Sequence, residues 1–427
     1  MFEPSPASSP STVFDTFLGA LQGTISVLLT CFAGYTASRH RLLNRQTVKH
    51  ISTLCTTLFL PALLIVQMGP ELTPPSLSRY WIIPAWGLAS TIVGHLVGWA
   101  GQRVLGLKHW TIIACGRPNS NALPLLLLQS FESTGVLELL SRDGDTVKQT
   151  LHRGRSLLLL NAIVQQVFTL QLAPSVLARD DGHHKADRQR SNILRPGPGR
   201  LLPIVQDEER VGLLDDPDTE AEERPEVLGG ALGPIVDAPD VHWPQSIAVL
   251  ERPVKKVWSY MSPPLIGAII AFAFGMISPL HRWFLDEDGV LYASVTQSVK
   301  NLGDIFVVLQ TFSVGAELAL VPSSRPGYLP TVWVLLVRFV FMPALSLLFV
   351  WLTAGRGWYV SDPLVWFLLV LLPAGPSAML LVNVAELVDI DQGPIAGYLT
   401  IAYFLSPLMA IVCSVGLAVV QRAQERV

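Results

Sequence analysis

Runs of about 20 predominantly apolar residues recur along this chain, the length a helix needs to cross roughly 30 Å of hydrocarbon. Five precede its middle, at about Phe14 to Ala37, Thr47 to Met68, Tyr80 to Gly101, His109 to Ser130 and Ser156 to Ala178. Five follow, at about Val257 to Ser278, Ser294 to Leu320, Leu329 to Ala354, Pro363 to Val384 and Pro394 to Val420. Charged residues make up only 15% of the 427, against about 25% in soluble proteins. The sequence therefore predicts an all-α integral membrane protein with ten transmembrane helices.

The chain divides by composition into an N-terminal tail (1–13), a first membrane repeat (14–178), a linker (179–256), a second membrane repeat (257–421) and a C-terminal tail (422–427). The tail is acidic and Ser/Pro-rich and lacks the basic start of a signal peptide, so it reads as uncleaved. The linker, with "RDDGHHKADRQRSN" and "QDEERVGLLDDPDTEAEERPE", has too little apolar surface to offset chain entropy and is expected to be disordered. Its His183 and His184, beside Asp180 and Asp181, read as solvated linker rather than a metal site. Cys31, Cys55, Cys115 and Cys413 lie far apart inside apolar runs and read as small buried hydrophobes. No metal or cofactor is expected, and no basic block suggests nucleic acid.

Arg39, Arg41, Arg45 and Lys49 follow the first run, Arg103 and Lys108 the third, and the linker the fifth. Basic loops stay on the cytoplasmic side, which puts the linker in the cytosol and the N-terminus outside. With five crossings in each half, the second half enters from the opposite face, so equivalent helices run antiparallel. That is the inverted repeat of many secondary transporters.

Two spans carry interruptions at matching positions. The fourth reads "GRPNSNALPLLL", with Pro118 and Pro124, and the ninth reads "LLPAGPSAMLLV", with Pro373, Gly375 and Pro376. Proline removes a backbone donor and clashes with the preceding turn, and the groups so freed are tolerated at membrane depth only against protein or a water-filled cavity. Half-helix N-termini there carry partial positive charge and suit a carboxylate. Asn119, Ser120, Asn121 and Ser377 add neutral donors and acceptors, and with Gly375 and Pro376 they form the predicted substrate site. Arg117 either faces the cavity and attracts anions, or snorkels or pairs with an acid. Asp304, Glu317 and Arg338 are candidates for coupling or charge pairing, with Lys300 one turn before Asp304. His95, among Gly94 and Gly98, reads as a packing histidine. Tyr403 and Phe404 are candidate supports for a substrate ring.

An intramembrane aspartyl enzyme is the rival reading, on "NLGD" at Asn301 to Asp304, but a second aspartate suitably placed in a span is missing, and that chemistry needs two. A membrane sensor or scaffold that keeps a carrier fold is the other alternative.

Several stretches in order resemble the auxin efflux carrier superfamily, close to its PIN-LIKES branch and in a fungal form. They are "FLPALLIVQMGPELT", "NSNALPLLLLQS", "VTQSVKNLGDIFVVLQTFSVGAEL", "LVRFVFMPAL", "GPSAMLLVNVAEL" and "YFLSPL". The resemblance covers both membrane halves and excludes the linker. It implies two inverted five-helix repeats whose discontinuous fourth and ninth helices cross beside the substrate site. It also implies alternating-access movement of a small organic anion such as an auxin-like carboxylate, with Asn119, Asn121 and Pro376 at the binding positions. The implied home is the endoplasmic reticulum, with the plasma membrane as alternative. The implied partners are the anion, the lipid bilayer and a second copy of the chain as a homodimer. The chain departs from the family pattern in reading Gly-Pro-Ser-Ala at its second crossover and in carrying Arg117.

Overall fold

The computed structural model describes residues 10–120, 122–142, 144–193, 262–321, 323–387 and 390–426. Among them the secondary structure is helical throughout, with a single isolated β-bridge. Six helices are long and apolar enough to cross a membrane, and a seventh candidate is a pair bent by 93°, Pro263–Met276 followed by Ser278–Leu285.

The first half begins with α1 (Pro10–Arg39) and α2 (Arg45–Glu71). Asn44 caps α2, accepting from the Thr47 N–H at 2.7 Å, the usual use of a short polar side chain at a helix start. Next comes α3 (Ile82–Leu105), which stops at Gly106, φ 64°, a left-handed end that costs glycine little. The expected fourth span is two pieces, α4 (Trp110–Gly116) and α5 (Ala122–Ser133). Then α6 runs from Val147 to Ile193, past the expected linker start at 179. The stretch past 179 carries Arg179, Lys185, Ala186, Arg188, Gln189 and Arg190, residues that favour helix. The rest of the expected linker, 194–256, lies outside the described residues.

In the second half α7 is Pro263–Met276, α8 Tyr292–Leu320 and α9 Tyr328–Thr353. The expected ninth span is again two pieces, α10 (Pro363–Leu371) and α11 (Leu380–Leu387). The chain closes with α12 (Gly393–Phe404) and α13 (Met409–Gln424), joined by a short 3-10 turn.

The first pieces of both broken helices sit at the centre. Every residue of α4 is buried, and Leu364 to Leu371 of α10 are each 2% exposed or less. Their sequences are apolar on all sides, as a helix surrounded by protein requires. Small residues let α3 approach α4: a side-chain carbon on Gly94 would stand 2.8 Å from the Cys115 carbonyl oxygen, and one on Gly98 2.8 Å from the Ile112 Cα. Close backbone approach of this kind is how membrane helices gain packing energy without a hydrophobic driving force. Asp362 caps α10 through the Leu364 N–H at 3.0 Å, and Trp86 of α3 donates to the Leu369 carbonyl at 2.9 Å. All four cysteines are free and buried.

Candidate functional site

The two interruptions meet. After α4 the chain extends through Arg117 and Pro118, after α10 through Pro373 to Ala378, and the extended stretches lie antiparallel with Pro118 opposite Ser377. Asn119 N–H donates to the Pro376 carbonyl at 2.9 Å, and Ala378 N–H to the Arg117 carbonyl at 3.1 Å. Each break thus satisfies backbone groups that the other's proline left without a helical partner. Gly375 turns the second stretch with φ 90°, a conformation L side chains avoid. Pro124 lies in the first turn of α5, where a missing N–H costs nothing. It therefore starts that helix, and the break lies upstream of it.

Side chains lock the crossing. The Ser377 hydroxyl donates to the Ala114 carbonyl at 2.6 Å and lies 2.7 Å from the Tyr398 hydroxyl. Arg338, fully buried in α9, donates to the carbonyls of Gly375 (2.9 Å), Ala374 (3.2 Å) and Cys115 (3.4 Å). One guanidinium fork therefore ties the C-terminal end of α4 to the extended stretch that follows α10. Sequence reasoning held Arg338 as a candidate for coupling or pairing with an acid; its partners are backbone carbonyls more than 30 residues away, which no local pattern reveals.

Beside the crossing lies a cavity of about 80 Å³, whose polar wall includes Arg117, Asn119, Ser120, Gln166, Gln310 and Tyr403. Ala122 and Leu380, the first residues of α5 and α11, also face it, so the N-terminal ends of both second pieces point at the same space. Asn119 Nδ2 donates to the Tyr403 hydroxyl at 2.9 Å. Arg117 neither snorkels nor pairs with an acid among the described residues: it is 3% exposed, and Nη1 reaches Gln165 Oε1 at 3.4 Å. Its Nε, the Ser120 hydroxyl and Gln310 Oε1 are buried without a hydrogen-bond partner.

Asn121 lies outside the described residues. Gly375, Pro376 and Ser377 stand in the frame of the crossing, while the adjoining wall of the cavity is Ala378, Met379 and Leu380. Glu317 lies on the Tyr403 side, where its charge acts on Tyr403 and Cys55. Asp304 is on the outer face of α8 beside Ile305 and Val308, away from the cavity, and makes no ion pair with Lys300 among the described residues. His95 bonds its Nδ1 to the Thr91 carbonyl at 2.7 Å and packs its ring over Gly116. Of the two aromatics, Tyr403 is in the wall and Phe404 is 76% exposed. Gln166 and Gln310 escaped sequence reasoning, although polar amides inside apolar runs were the available signal.

Two interrupted helices that meet beside a polar, cation-bearing cavity, in a chain with six helices long and apolar enough to cross a membrane, are the arrangement expected of a membrane transporter. A family model described as membrane transport protein matches residues 20–414, and the chain belongs to that family, the auxin efflux carriers. It is similar to Protein PIN-LIKES 5 of Arabidopsis thaliana, 21% identical over 401 residues that cover 91% of this chain and 94% of the relative. An uncharacterised transporter of Schizosaccharomyces pombe is 22% identical over 446 residues, covering 94% and 95%. One from Saccharomyces cerevisiae is 24% identical over 307 residues, covering 70% and 69%.

Proposed function

We propose that the protein is a secondary carrier that moves an organic anion by alternating access, with the cavity beside the crossing as its substrate site. The observation that carries this reading is Arg117, a buried guanidinium with no carboxylate partner among the described residues, in the wall of a cavity that also receives the N-terminal ends of α5 and α11. A permanent cation and two positive helix ends favour a negative guest. Asn119, held by Tyr403, and Ser120 supply further donors to a carboxylate, and Asn121 adjoins them in sequence.

The ten spans of the proposed architecture form two inverted five-helix repeats. Support comes from breaks at the fourth place of each half and from the antiparallel pairing of Pro118 with Ser377. Gly375, Pro376 and Ser377 act as the frame that aims the cavity wall. The proposed membrane is the endoplasmic reticulum, on the resemblance to the PIN-LIKES branch, with the central segment in the cytosol on the distribution of basic residues.

Purified protein in proteoliposomes preloaded with unlabelled carboxylate, offered a panel of radiolabelled aromatic and aliphatic carboxylates with and without a pH gradient, tests the reading. Saturable protein-dependent uptake of carboxylates and none of their amides is expected. No uptake of any acid would leave a non-transporting sensor with a carrier fold.

A further inference from the structure

The two buried arginines at the crossing differ in how their charge is met. Arg338 faces three carbonyl oxygens, one at the end of α4 and two in the stretch after α10, and these charge-assisted hydrogen bonds compensate it. Arg117 has one neutral contact, Gln165 Oε1 at 3.4 Å, and an unpartnered Nε. Among the described residues the charge that bears on it is Arg338, of the same sign. Glu317 does not line the cavity, and its charge bears on Tyr403 and Cys55.

An alternating-access cycle must close the site between openings. Closing it empty leaves the Arg117 cation in a low-dielectric interior without a counter-charge, which is costly. Closing it around one monoanion leaves a neutral pair with its hydrogen bonds made, a far cheaper state. The loaded carrier therefore changes sides readily and the empty one slowly. The cavity of about 80 Å³ is a few water volumes, the size of a carboxylate head, which suits a single negative group.

Resting on the carrier reading above, we propose that this protein is an anion exchanger: Arg117 makes return of the empty site the slow step, and a monocarboxylate bound on the far side restores it. The substrate class is monoanionic carboxylates on both faces, exchanged one for one with no net charge moved.

Counterflow tests this with the full chain in proteoliposomes. Radiolabelled phenylacetate, benzoate and pyruvate are each offered to vesicles preloaded with the same unlabelled acid and to vesicles loaded with sulfate, with protein-free liposomes as background. Exchange predicts initial uptake at least about tenfold faster into the preloaded vesicles, the ratio that corresponds to a 1.4 kcal/mol difference between the two return steps. Arg117→Gln is expected to bring that ratio towards one, while Arg117→Lys, which keeps the charge, retains it. Equal protein-dependent uptake into both vesicle types in the unaltered protein overturns the exchange proposal and leaves the carrier reading standing. Absence of protein-dependent uptake of all three acids under either loading overturns the carboxylate-carrier reading, and this proposal with it.

Discussion

Replacing Arg338 by lysine keeps the buried charge and removes the fork. The guanidinium spans three carbonyls on two chain segments at 2.9, 3.2 and 3.4 Å. An ammonium offers its donors from one point and cannot reach the end of α4 and the stretch after α10 together. One or two of the three bonds are lost, each charge-assisted and worth about 1.5–3 kcal/mol, with the longest at the low end. The lost carbonyls stay buried. A loss of about 3 kcal/mol follows, and at about 2 °C per kcal/mol for a large domain the thermal midpoint falls by roughly 6 °C. Thermal denaturation of the detergent-purified protein, followed by size-exclusion chromatography of heated samples, reads this directly. A midpoint within about 1 °C of the parent would refute the claim that Arg338 clamps the crossing.

Three further outcomes follow from the same geometry. Asp362→Ala removes the cap of α10 and the buried carboxylate that lies 3.6 Å from Arg153 and 3.9 Å from Arg142. Breaking such a cluster costs about 3–5 kcal/mol, so low yield and a midpoint drop as large as that of Arg338→Lys are expected. Gly94→Val forces a side chain against the Cys115 carbonyl, costing about 1–3 kcal/mol and displacing α4, so flux falls more than folded yield does. Tyr403→Phe leaves Asn119 Nδ2 without the hydroxyl that accepts from it at 2.9 Å. One hydrogen bond of about 1 kcal/mol translates to roughly fivefold weaker carboxylate binding in a fluorescence titration, with the thermal midpoint little changed.

The positions of the breaks were legible in the sequence because proline and glycine act locally: Pro118, Pro373 and Pro376 interrupt apolar runs wherever the rest of the fold goes. Pro124 was misread because its effect depends on distance from a helix start, and the start at Ala122 is set by the crossing upstream. The pairing of Pro118 with Ser377, and of Asn119 with Tyr403 284 residues away, is tertiary and leaves no trace in spacing. Arg117 shows the same limit. Its chemistry was visible, but whether it meets lipid, acid or cavity depends on neighbours from α6 and α8, which only the packed molecule brings together.

The central claim is that an anion sits beside the crossing against Arg117. Isothermal titration of the purified protein with phenylacetate and with phenylacetamide, repeated on Arg117→Gln, measures it most directly. The account predicts saturable binding of the acid, none of the amide, and at least about tenfold weaker binding in the variant, the minimum expected when a charge-assisted hydrogen bond is lost. Equal affinity for acid and amide, or acid binding that survives Arg117→Gln unchanged, would contradict it.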